Sequence, residues 1–143
     1  MSKKYHYNHA IHNKKACDYI DKDGQFNDWV ITTSFYTALQ FVKADLFPIL
    51  IVEPSSSKTY NTFDDFYNKN DRNRKSKHES LVDLLHEHRP NISSEYECLC
   101  DLSMSSRYKN YKLDISEVKK AKKCLAIIED DCKPTIEADL EKH

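Results

Sequence analysis

One glycine, Gly24, in 143 residues is the sharpest absence in this chain. A GxGxxG dinucleotide loop and a GxxxxGK[ST] phosphate loop each need more than one, so nucleotide chemistry of those two kinds is excluded, and no motif calls for a cofactor. Folds of many tight β-turns, which draw on glycine for positive φ, are disfavoured for the same reason. Proline is sparse too. The four stand at 48, 54, 90 and 134, between periodic segments, where they are expected to end helices rather than interrupt them. The most apolar window, FVKADLFPILIV, is broken by Lys43, Asp45 and Pro48 and is too short to cross a bilayer. MSKKYHYNHA is followed by no apolar run of the kind a secretory signal needs. A soluble, cytoplasmic protein without membrane contact is expected. There is no CxxC either, and cysteines 17, 98, 100, 124 and 132 read as free thiols in a reducing compartment. Excess charge of one sign is also missing, with 22 Lys plus Arg against 23 Asp plus Glu, so any hold on a polyanion must come from a local patch.

What the chain does have is nine Tyr, six Phe and one Trp, enough to argue against wholesale disorder. A chain of this length buries about 68% of the surface its unfolded form exposes, so one domain with a real core is expected, over residues 1–133, with 134–143 as a C-terminal tail. Apolar spacing predicts five helical segments. The first runs from about Tyr7 to Ile20, with Ala10, Ala16, Tyr19 and Ile20 as core candidates, and ends in the DKDGQFN loop. The second starts after Asn27, read as its N-cap, and continues to Phe47. Ile31, Phe35, Ala38, Val42 and Leu46 make one face of it, while Trp29, Tyr36 and Phe41 make the others apolar, which places it at the centre.

Residues 48–77 carry two prolines, a serine run and then charged and amide residues. They read as a long connection with a short helical turn at Thr62 to Tyr67. A third helix follows between His78 and His88, with Leu81, Leu84 and Leu85 on one face and Pro90 at its end. A fourth opens with a capping box, Ser94 and Glu97, and carries Leu99, Leu102 and Met104 towards Arg107. A fifth begins near Asp114 or Ser116, with Val118, Ala121, Leu125, Ile128 and Cys132 spaced 3, 4, 3, 4. The sum is an all-α fold: an antiparallel up-and-down bundle of four to five helices with a long loop after the second.

Two basic stretches interrupt the charge balance. Residues 69–77, KNDRNRKSK, include Arg72, Arg74 and Lys75, and residues 107–123 combine Arg107 with six lysines. In the second, Tyr108 and Tyr111 alternate with Lys109 and Lys112, a pattern able to stack bases and neutralise phosphates. The plainer reading is a solvated face opposite the Val118 to Cys132 stripe. His86, His88, Cys98 and Cys100 are metal-capable, but pairs two residues apart on a helix point to opposite sides, so no metal is expected.

The segments SFYTALQFVKADLF, KHESLVDLL and SSRYKNYKLDISEVKKAKKCLAIIE, in that order, resemble three segments of the HEPN domain family, and in particular the small members encoded beside minimal nucleotidyltransferases. Tyr36, Ala38, Lys43 and Ala44 fall at matching places in the pairing helix, KHESLVDLL matches a Ser/Thr-His-x-x-Leu-x-x-Leu helix entry, and Arg107–Tyr108 matches an Ala-Arg-Tyr segment. The resemblance spans about residues 7–130. It implies a homodimeric bundle that binds RNA or a nucleotidyltransferase partner, in toxin–antitoxin or defence settings, and in some members a metal-independent ribonuclease. The nuclease signature is Arg, four to six residues, then His. Arg107 is followed by YKNYKLD, with no histidine; Arg72 and His78 have the spacing but lie ahead of a helix.

Catalysis would therefore fall to His78 with Arg107, or His78 with Arg72: an imidazole to take the 2′-hydroxyl proton and a cation for the phosphorane-like transition state. The structural alternative has Arg107 bonding the last carbonyls of its own helix. A shared site requires His78 and Arg107 at one end of the bundle, within about 15 Å, since charges are screened over ~10 Å in ordinary salt.

Overall fold

The computed structural model describes residues 2–70 and 75–142. Among them the chain forms α1 (Lys3–Asp23), α2 (Asn27–Leu46), β1 (Ile49–Val52), β2 (Ser57–Tyr60), α3 (Phe63–Asn70), α4 (Lys77–His88), α5 (Pro90–Tyr108) and α6 (Ile115–Glu141). The expected helical fold is present, with six helices instead of four to five and a small hairpin where only a loop was foreseen.

Side-chain pairings fix the directions. Along α1 and α2, Lys3 reaches the Ala44 carbonyl, His6 meets Gln40 and the Cys17 thiol faces the Val30 carbonyl, so the two run antiparallel. Between α2 and α5, Thr32 pairs with Ser106 near one end and Asp45 with Arg89 at the other. α6 returns alongside α1 in the opposite sense, with Lys122 on Asp21 and Lys3 on Asp139. These four helices thus alternate up and down, and α4 packs against α5.

Ser2 caps α1, accepting from the Tyr5 amide at 3.1 Å. Gly24 ends it with φ 75°, the left-handed conformation that L residues rarely adopt, which is where the single glycine is needed. Ala10 and Cys17 are its buried apolar residues, whereas Tyr19 is 79% exposed. Asn27 is not the N-cap of α2: it lies inside the first turn and donates through its side chain to the Leu113 carbonyl at 2.8 Å. The predicted α2 face, Ile31, Phe35, Ala38 and Val42, is fully buried, and Phe41 joins it. Trp29 and Tyr36 lie on the solvent side instead.

In the connection, the β-branched run Ile49–Val52 pairs antiparallel with Ser57–Tyr60 in the register Ile49↔Tyr60. An isolated hairpin is marginal in water. This one is anchored at its base, where Tyr60 packs on Phe66 at 5.4 Å and Phe47 on Phe63 at 6.0 Å. α3 extends the foreseen turn, capped by Thr62, which accepts from the Asp65 amide.

α4 is capped by Ser76 and starts one residue before His78. α5 starts at Pro90, not at a Ser94–Glu97 box: proline's fixed φ suits the first helical position, and Glu97 turns to His86. Asp114 caps α6 as foreseen, accepting from the Glu117 amide at 3.1 Å. That helix then passes through Pro134, where a tail is expected from sequence. Buried Ile136 and the Lys3–Asp139 pair hold the added turns, which offset the backbone bond that proline removes.

Candidate functional site

Phe35 is the hub. It is fully buried on α2, and its ring touches side chains from both helices that were expected to meet. The imidazole of His78, in the first turn of α4, lies 5.6 Å from the ring centroid, and the Arg107 guanidinium, in the last turn of α5, lies 5.9 Å from it. Both therefore sit at one end of the bundle, well inside the limit of about 15 Å. Desolvation holds the His78 pKa below its ordinary value, and the charges of Arg107 and Lys43 lower it further, so the imidazole is neutral near pH 7.

Arg107 is held by π faces and neutral acceptors. Its guanidinium carbon is 5.5 Å from the Tyr36 ring and 5.1 Å from the Tyr108 ring. Nη1 donates to the Tyr36 hydroxyl at 2.8 Å, Nε to the Ser103 carbonyl at 3.3 Å, and Nη2 faces the Met104 sulfur at 3.6 Å. The expected bond to its own helix is thus real, but it uses one of five N–H donors. No ion pair to a carboxylate forms at Arg107 among the described residues. The buried Thr32–Ser106 bond, 2.9 Å, pins the end of α5 to α2 beside it.

The solvent face of α2 continues this surface. Trp29, Thr33, Tyr36, Gln40 and Lys43 recur at spacings of 4, 3, 4 and 3, which places them on one stripe. Trp29 is 55% exposed. It shares a shallow cavity of about 380 Å³ with Phe26, Tyr111, Lys112 and Leu113. Tyr111 is thus grouped with Trp29, not with Arg107, while Tyr108 is 71% exposed directly beside the guanidinium. Lys112 lies over the Tyr111 ring at 5.8 Å, and Lys109 is exposed at the end of α5.

The other side of His78 opens into a groove of about 420 Å³ between α4 and α5. Glu79, Asp83, Glu97 and Asp101 line it, and its one lysine, Lys75, pairs with Asp83. The four carboxylates make this groove unfavourable for phosphate, and Lys75, expected at an RNA surface, lies in it. Arg72 and Arg74 lie outside the described residues. Among those described, no three His, Cys, Asp or Glu side chains gather as metal ligands. His86 bonds Glu97, and all five cysteines are free. Among the described residues, no helix is long and apolar enough to cross a membrane.

Sequence reasoning paired Arg107 with His78 but missed Tyr36 as the clamp on Arg107 and missed His6 altogether. The 4, 3, 4, 3 stripe was legible; which of its rings faced water was not. No family model, curated protein or solved structure matches the chain.

Proposed function

We propose that this chain is a HEPN-like helical module that binds single-stranded RNA over the Tyr36–Arg107–Tyr108 face, alone or beside a nucleotidyltransferase-type partner, in a toxin–antitoxin or defence setting. The observation that carries the reading is the state of Arg107: a guanidinium clamped between aromatic rings, with donors to spare and, among the described residues, no carboxylate paired with it. A stacked guanidinium presents those donors to phosphate, and exposed rings on either side accept bases, which is how single strands are gripped without reading their sequence. Arg107 and the Tyr36 and Tyr108 rings lie on this face, while Glu79, Asp83, Glu97 and Asp101 line the groove on the other side of His78.

The expected result of Arg107→Ala is a loss of about 1–3 kcal/mol in RNA affinity, the scale of one charged contact, with helical content unchanged by far-UV circular dichroism. A lower melting temperature with unchanged RNA affinity would instead make Arg107 a helix-end brace. The arrangement also fits a metal-independent ribonuclease, because a neutral imidazole and a guanidinium flank one ring; cleavage of single-stranded RNA in the presence of a chelator, lost in His78→Ala, would identify that activity.

A second reading, a homodimer that serves as an adaptor, is favoured by the exposed Phe26 and Trp29, which share one cavity, and the exposed Tyr36 and Met104, which both meet Arg107. Sedimentation at tens of micromolar should then give twice the chain mass of 16.8 kDa, and Trp29→Ser should shift the protein towards monomer. A wild-type monomer under those conditions contradicts the dimer.

A further inference from the structure

Lys43 stands on the α2 stripe seven residues beyond Tyr36, about 10 Å along the axis at 1.5 Å per residue. It is partly buried, and its ammonium lies 5.7 Å from the centre of the Phe63 ring. No carboxylate forms an ion pair with it among the described residues. Asp64, whose charge acts on Lys43, is bridged to Lys77 at 3.2 Å. Beside Lys43, α1 contributes Tyr5, His6 and His9 to a pocket of about 220 Å³ that Gln40, Thr62, Phe63 and Asp64 complete. His6 Nδ1 lies 2.7 Å from the amide oxygen of Gln40. Oxygen carries no proton there, so Nδ1–H donates, which leaves Nε2 of the neutral ring as an acceptor. His9 stands 5.9 Å from Tyr5.

We infer that this pocket is a second phosphate site, in which Lys43, in the pocket it shares with His9, holds the backbone phosphate of a single-stranded RNA that also contacts Arg107. The inference rests on the RNA reading above and adds the path of the strand: along α2, from the Trp29 end to the hairpin side. The spacing of about 10 Å is short beside the several nucleotides that single-strand sites occupy. Asp64 is the opposing charge in the pocket, and Lys77 neutralises it.

The test measures binding of a fluorescein-labelled oligouridylate by anisotropy, between roughly 50 and 200 mM salt, for wild type, Lys43→Gln, Lys43→Arg and Arg107→Ala. Each phosphate contact on a single strand contributes about 0.7 to the slope of log affinity against log salt. Lys43→Gln should lower that slope by about this amount and weaken binding several-fold, while Lys43→Arg keeps the slope. Circular dichroism of both variants checks that the contact with Phe63 is not what was lost. If the wild type binds RNA through Arg107 but Lys43→Gln leaves slope and affinity unchanged, the second site is wrong and the RNA reading stands. If the wild type binds no RNA, both fall. Inorganic phosphate whose phosphorus resonance broadens with wild type and not with Lys43→Gln, in a protein whose RNA slope ignores Lys43, would assign the pocket to small phosphates and overturn the strand path.

Discussion

Arg89→Ala is expected to cost about 3–5 kcal/mol of folding stability, the range for removing one partner of a buried ion pair. Arg89 sits at the joint between α4 and α5 and bridges Asp45 at the end of α2 to Asp131 on α6. The Asp45 side chain is only 2% exposed, and its second oxygen has no hydrogen-bond partner. Deleting the guanidinium would leave that carboxylate desolvated and unpaired, which costs more than the bridge itself contributes. Thermal melts should show a drop of about 10 °C, taking about 2–4 °C per kcal/mol for a chain near 150 residues. The combination of Arg89→Met with Asp45→Leu should recover most of the loss, because the charge to be buried is gone. A melt of Arg89→Ala within a degree or two of wild type would mean that water reaches Asp45 and that the joint is not buried as described.

Phe35→Ala should be nearly as severe, about 3–5 kcal/mol from lost apolar burial plus the cavity left behind. Its distinguishing effect is on the site. The Phe35 ring also meets Tyr36 at 5.3 Å and Tyr96 at 5.8 Å, so it is the common surface on which His78, Arg107 and two tyrosines are seated. Phe35→Leu separates stability from function: it keeps most of the volume and should cost less than the alanine variant, yet it removes the flat face beneath the guanidinium and imidazole. RNA affinity in Phe35→Leu should therefore fall several-fold in a protein that still melts cooperatively. An RNA affinity that tracks only the melting temperature across the two variants would reduce Phe35 to a core residue.

The helical part of this architecture was largely legible because its signals are local. The apolar stripe of α2, the leucines of α4 and the 3, 4, 3, 4 spacing of α6 each state which face is buried. The errors arose where tertiary packing overrides a local rule. Pro90 reads as a stop, yet it also starts α5; Pro134 reads as an end, yet Ile136 finds a buried seat beyond it. The run ILIV lies between two prolines and before a serine stretch, which hides its strand character until Tyr60 and Phe66 supply something to pack on. At the site, the meeting of Arg107 and His78 followed from helix order alone. That Tyr36 clamps Arg107, and that Lys43 lacks a carboxylate partner, depend on which neighbours arrive from α1, α3 and α5. No spacing in the sequence encodes that.

Trp29, the one tryptophan of the chain, gives the most direct test of whether Arg107 and the rings beside it hold RNA. Single-stranded RNA is titrated into wild type and into Arg107→Lys while the indole emission is followed. Lysine retains the charge but loses the planar fork and the stacking. The account predicts saturable quenching in wild type and quenching in Arg107→Lys only at roughly 3- to 10-fold higher RNA concentration, about the share of one ordinary hydrogen bond. Emission that ignores RNA and shifts with protein concentration alone, or equal affinity for the two proteins, would contradict it.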